Sequence, residues 1–371
     1  MKFMKYILPI VILVSAVLAC SPVKPDAPVY EHKGKSVLVY MVANNNLASN
    51  AARNLEDMKK GFVPEEDNLL VYYHATSGTP LLLRLYTAES GAVVQDTVYR
   101  FPSRNSAEPE SLTSTMKVVQ TMFPADEYGL FLWSHGTGWL PQGYFSKSFG
   151  SDNGVEMELK EMVKAIPYKL SFVAFDACLM GCVEVAYQMK DSVDYIISSP
   201  TEIDADGFPY SKVFKHAFSY PVNPEAIARE YYNFYNNRQG NRRNATISVV
   251  KTSELDELAA ATKVVFDKYR EFIPTFDVST VQPYFRENKH WFYDFDDFIT
   301  QLAGSADAAP VRQALKKAVT YKASTPYFFE LSIDPGKFSG LGTYIPFSPV
   351  DPQLDEYYRT LEWNKAVGMV K

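Results

Sequence analysis

Short apolar runs alternate with amphipathic stretches along most of the chain. Ser36–Val42, Asn68–His74, Tyr128–Ser134, the run from Leu170 to Asp176, and Val193–Ser199 are nearly continuous apolar segments that stop at small or polar residues. Such runs predict strands buried on both faces, as in a parallel sheet. Between two of them, residues 154–166 place Val155, Leu159, Met162, Val163 and Ile166 on one helical face, which predicts a helix. Strand, helix, strand is a βαβ unit with a right-handed crossover. Helices are also predicted over 47–60, with Asn46 as a candidate N-cap, and over 110–122, 179–190, 224–237, 253–273 and 307–323. A closing helix is predicted over 352–367. Residues 81–87 and 93–101 flank Glu89-Ser90-Gly91 and predict a hairpin at an antiparallel sheet edge. Residues 245–250 predict a last parallel-type strand, and 327–333 with 342–346 a late strand pair. The sum is an α/β fold, a mostly parallel sheet between helices. A smaller α+β C-terminal extension, residues 251–371, packs on the main domain at 36–250.

In a βαβ unit both strand C-termini lie on one sheet edge, where open α/β sheets place their ligands. That topology brings His135 and Cys178 to a common rim although 43 positions separate them. Singly, each residue has an ordinary structural explanation: a small core thiol or a hydrogen-bonded imidazole. As a pair, each after a strand and flanked by small residues, they predict a nucleophilic cysteine with His135 handling its proton. A helix starting near Leu179 would favour the thiolate through its N-terminal dipole. The N–H groups of Gly136 and Cys178 are candidates for an oxyanion hole.

The chain resembles the clostripain family of cysteine peptidases, within the caspase-like clan. The resemblance rests on four segments in order: Ser36–Leu47, Trp133-Ser134-His135-Gly136, Phe175-Asp176-Ala177-Cys178 and Ser339–Pro346. It implies a caspase-like fold and an endopeptidase with a Cys-His dyad. It also implies a pocket for Arg or Lys at P1, formed by Asp176 with Asp206 or Asp204, and less readily Glu202. Asp176 could instead cap the following helix. Self-cleavage in the family follows a basic residue in the loop between the two catalytic strands, where Lys147 is the candidate. Some relatives need calcium, for which Asp294, Asp296 and Asp297 are candidates; a capping or solvated role is the simpler reading, and no cofactor is required. The chain has Asn44 where the family usually has Asp, and Gly207-Phe208 where it often has Gly-Trp. Two alternatives follow: a catalytically silent surface lipoprotein that binds peptide or glycan, and a peptidase of the same clan with a non-basic P1 preference.

Composition narrows the picture further. The 371 residues are 47% hydrophobic and 22% charged, which is ordinary globular usage. A net charge of −6 argues against general nucleic-acid binding, leaving protein or peptide substrates as partners. Lys2 and Lys5 precede an apolar stretch, Tyr6–Val17, too short to span a membrane comfortably. It ends Val17-Leu18-Ala19-Cys20, which looks like a bacterial lipobox. Residues 1–19 are thus expected to be a lipoprotein signal peptide, with Cys20 lipidated and residues 20–35 a Pro-rich tether. This implies a cell-envelope protein, lipid-anchored to the outer membrane, in keeping with Ser21. Cys182 is expected to serve helix packing, and three cysteines give no disulfide framework.

Overall fold

The computed structural model describes residues 34–371 except 62, 77, 142–143, 145–148, 287–290 and 347–350. Cys20 and Lys147 therefore lie outside the described residues. β1 (Lys35–Val42) leads into α1 (Ala48–Met58), then β2 (Asn68–His74), β3 (Leu81–Thr87) and β4 (Val93–Arg100). α2 (Pro109–Met122) precedes β5 (Glu127–Trp133), a small ladder of β6 (Phe149–Asp152) and β7 (Val155–Met157), and α3 (Leu159–Lys164). β8 (Leu170–Asp176), α4 (Val183–Met189), β9 (Val193–Ser198), α5 (Tyr210–Ala217), α6 (Pro224–Asn236) and β10 (Thr246–Lys251) follow. Next come α7 (Leu255–Tyr269), β11 (Tyr293–Asp294), α8 (Phe295–Asp307), α9 (Ala309–Ala318) and β12 (Val319–Ser324). The chain closes with β13 (Tyr327–Phe328), β14 (Leu331–Ser332), β15 (Gly342–Thr343), α10 (Pro352–Arg359) and α11 (Glu362–Val367).

Among the described residues nine strands form the main sheet, in the order β12-β10-β9-β8-β5-β1-β2-β3-β4. The five central strands are parallel, and a pair of antiparallel strands extends each edge. β1 shows why the sheet is buried on both sides. Val37, Val39 and Met41 join a core with α1, α5 and α6, whereas Leu38, Tyr40 and Val42 join a second core with α2, α3 and α4. Strand side chains alternate faces, so a run without polar positions needs a helical layer on each side. Among the described residues no helix is long and apolar enough to cross a membrane.

Several expectations are corrected. The helix expected over 154–166 is limited to α3. Asn153 (φ 50°) and Gly154 (φ 75°) make a tight turn that folds Val155–Met157 back on β6. The strand at 246–251 runs antiparallel to β9, with Ser248 opposite Ser198. Two helices, α5 and α6, fill that crossover; one would return the chain to its starting edge, and the second carries it to the far edge. The helix expected to run to residue 323 stops at Ala318, and Val319–Ser324 pairs with β10 at the sheet edge. The late strand pair is instead a tiny hairpin of β13 and β14, while β15 pairs with β11. The closing helix is broken in two after Arg359.

Candidate active site

The site is built on the ends of β5 and β8. These strands are parallel, with Trp133 level with Asp176. His135 and Cys178 stand two residues past the ends of these strands, and both line one cavity. The two strand ends also meet directly. A side-chain carbon on Gly136 would lie 2.8 Å from the Cys178 carbonyl oxygen and 3.0 Å from the Ala177 side chain, so only glycine permits this approach. Among the described residues, neither the Gly136 N–H nor the Cys178 N–H is spent on another partner. Both remain available to a developing oxyanion.

His135 is half-buried, and burial lowers its pKa from the ordinary 6.5. Its Nε2 lies 2.7 Å from Asn46 Oδ1. The Cys178 sulfur receives the Ile203 N–H at 3.3 Å and lies 3.8 Å from the Ile203 carbonyl. Burial pushes the thiol up to about 12, with the Ile203 N–H opposing the rise and the charges of Glu202 and Asp176 adding to it. Burial thus favours the uncharged form of both groups. The helix expected to activate the thiol begins too late. α4 starts at Val183, and Leu179 sits in the left-handed region (φ 61°) with its N–H bonded to Thr201 O at 2.9 Å. The dipole of α4 therefore does not begin at the sulfur.

His135, Cys178, Asp176, Glu202, Asp204 and Arg286 line one cavity of about 250 Å³, with Leu47 and Phe329 on its walls. Asp176 is buried, which raises its carboxyl to about 6 from the ordinary 3.8. Two donors restrain that rise: the Phe208 N–H at 3.1 Å and the Tyr210 hydroxyl at 2.8 Å. Asp176 is therefore not a helix cap. Gly207 (φ 69°) lets the following loop approach it, since a side-chain carbon there would fall 2.6 Å from Oδ2. Asp204 lines the cavity, held by the Asp206 N–H and by Asn244. Asp206 instead pairs with Arg238 at 2.9 Å, and is not one of the residues lining the cavity. Glu202 holds Arg286 through both guanidinium Nε and Nη2.

The three candidate calcium ligands are committed elsewhere. Asp294 caps α8 and accepts from Tyr284 and the Ser339 N–H, Asp296 pairs with Arg312, and Asp297 pairs with Lys337. Among the described residues no group of three His, Cys, Asp or Glu could hold a metal ion, and this donor set does not fit one. Cys182 is buried and free, preceding α4. Sequence reasoning missed Asn46, read as a helix cap, and Arg286, which no local pattern marks.

The family model described as the clostripain family matches residues 39–331. Clostripain of Hathewaya histolytica is 26% identical over 216 residues, covering 48% of this chain; the chain spans only 41% of that protein's length. Among solved structures, an inactive zymogen of a clostripain-family protease from Parabacteroides distasonis is 36% identical. It superposes with a TM-score of 0.82 over 91% of this chain and 99% of that one. A secreted cysteine protease of the same family from Bacteroides thetaiotaomicron, in complex with an irreversible peptide inhibitor, is 30% identical. Its TM-score is 0.79, over 90% of this chain and 98% of that one. A match over so much of the chain, with the whole fold shared and the histidine and cysteine just past the ends of adjacent strands, makes this protein a member of the clostripain family and a cysteine peptidase.

Proposed function

We propose that the protein is an exported endopeptidase that cleaves after lysine or arginine, with Cys178 as nucleophile and His135 as its base. The carrying observation is that thiol and imidazole, just past the ends of the adjacent parallel strands β5 and β8, line one acid-rich cavity. His135 takes the Cys178 proton as the sulfur attacks the scissile carbonyl carbon, and the N–H groups of Gly136 and Cys178 receive the oxyanion. The C–N bond then breaks, His135 returns the proton to the leaving amine, and water hydrolyses the thioester through the same imidazole. Three carboxylates face the cavity against one guanidinium, so a cationic P1 side chain is favoured there. Asp176 and Asp204 are the residues we assign to it.

The test is cleavage of a peptide library randomised at P1, by the chain from residue 21 onward and by its Cys178→Ala variant. Cleavage confined to Lys and Arg, and lost in the variant, supports the reading. Full activity in the variant, or a preference for acidic or small residues, overturns it. The segment Val17–Cys20 supports lipid anchoring at Cys20, and the family member from Bacteroides thetaiotaomicron is described as secreted. Retention of the Cys20→Ser protein in the membrane fraction would refute the anchor. Lys147 is the bond we assign to self-cleavage, and processing that continues in Lys147→Ala would refute that.

A further inference from the structure

We infer that Asn46 is the positioning residue of the dyad, holding His135 with its proton on Nε2 so that Nδ1 stays bare to receive the proton of Cys178. This rests on the peptidase reading above. A carboxamide oxygen can only accept a hydrogen bond, so the 2.7 Å contact with Asn46 Oδ1 places the ring proton on Nε2.

The contact is built, because both of its ends are tied to the same strand. Asn44 and Asn45 precede Asn46, and each anchors to β6. Asn44 Nδ2 donates to the buried Asp152 at 2.7 Å, and Asn45 Nδ2 donates to Ser151 O at 2.7 Å. Asn45 Oδ1 accepts the Leu47 N–H at 2.8 Å, closing the turn on the other side of Asn46. His135 is held in turn by the Gly150 N–H, which donates to its carbonyl at 3.0 Å. Thus β6 clamps both the donor and the acceptor of the Asn46–His135 bond. An imidazole held at one nitrogen by a rigid acceptor loses the freedom to exchange tautomers. Asparagine suits the task better than aspartate: it is neutral and leaves the imidazole an unprotonated base at neutral pH. The titratable and charged groups that share the cavity with His135 are Asp176, Cys178, Glu202, Asp204 and Arg286.

The experiment compares wild type, Asn46→Ala and Asn46→Asp on a Lys-terminated fluorogenic peptide across pH, with thermal melting of each variant and ¹⁵N NMR of histidine-labelled protein. Asn46→Ala should lower kcat about 10²-fold with little change in KM, the cost of misplacing a catalytic group by about 1 Å. Asn46→Asp should fold, retain more kcat than Asn46→Ala at alkaline pH, and move the acid limb of kcat/KM upward by about one pH unit, because a carboxylate beside Nε2 favours the imidazolium. A loss of kcat with an unmoved limb in Asn46→Asp would assign Asn46 a purely structural role and overturn the inference, as would near-normal kcat in Asn46→Ala. NMR decides the matter even if the wild type cleaves nothing: His135 should carry its proton on Nε2, and Asn46→Ala should lose that preference. A proton on Nδ1 in the wild type, or a tautomer indifferent to Asn46, overturns the inference whatever the activity.

Discussion

The buried carboxyl of Asp176 makes affinity for a cationic side chain depend on pH in a direction the structure fixes. Its pKa is raised to about 6 by burial. At pH 7.5 it is about 97% ionised, and at pH 5 about 9%, for a single group titrating there. A cation entering the cavity pairs with the ionised form, so at pH 5 binding must first expel the proton. Affinity should fall about tenfold between pH 7.5 and pH 5. The probe is benzamidine, binding to the Cys178→Ala protein by calorimetry, with Asp176→Asn as control. The same shift bears on stability. A carboxyl whose folded pKa lies above its unfolded value stabilises the fold fully only below the unfolded value, near 3.8, and that contribution is lost as pH rises through about 6. The loss is at most about 3 kcal/mol at pH 7.5. Asp176→Asn should therefore melt higher than wild type at pH 7.5 and show no such gain at pH 3.5. An affinity flat from pH 7.5 to pH 5, or one that falls equally in Asp176→Asn, would refute the assignment of Asp176 to the cation.

Three further outcomes are expected. Tyr210→Phe removes the hydroxyl that donates to Asp176 at 2.8 Å, so the pH limb of benzamidine affinity should move upward by about one unit, the worth of a hydrogen bond to a charged group; an unmoved limb would show that the tyrosine does not govern the carboxylate. Gly136→Ala forces a carbon to 2.8 Å from the Cys178 carbonyl oxygen and should reduce kcat about 10²-fold by parting the two strand ends, whereas normal kinetics would mean their contact is dispensable. Buried Glu184 Oε1 accepts from Thr343, the Tyr344 N–H and the Tyr358 hydroxyl, so Glu184→Ala removes an acceptor that three buried donors share. Urea unfolding should then show a loss of about 3 kcal/mol or more, and a loss under about 1 kcal/mol would refute that accounting.

The order of the central strands, the burial of the central sheet on both faces, and the convergence of His135 with Cys178 follow from local pattern, whereas the helices α5 and α8 were not read from it. Apolar period fixes which segments are strands, and a single crossover helix fixes which strand ends share a rim. Local pattern reports burial but not the partner that provides it. The antiparallel sense of β10 depended on how many helices fill a crossover, and the recruitment of residues 319–324 to the sheet depended on an edge left open by a strand some seventy positions earlier. The capping role read for Asn46 fits its place before a helix, yet its oxygen is taken by a histidine 89 positions away. Asp206 and Asp204 look alike in the chain, and only the presence of Arg238 draws one of them off. Arg286 reaches the cavity from a segment that carries no catalytic motif. Sequence by itself placed the sulfur and the imidazole on one edge because strand direction is a local consequence of topology; which side chains hold them, and which charges surround them, was decided by contacts between segments that only the folded chain brings together.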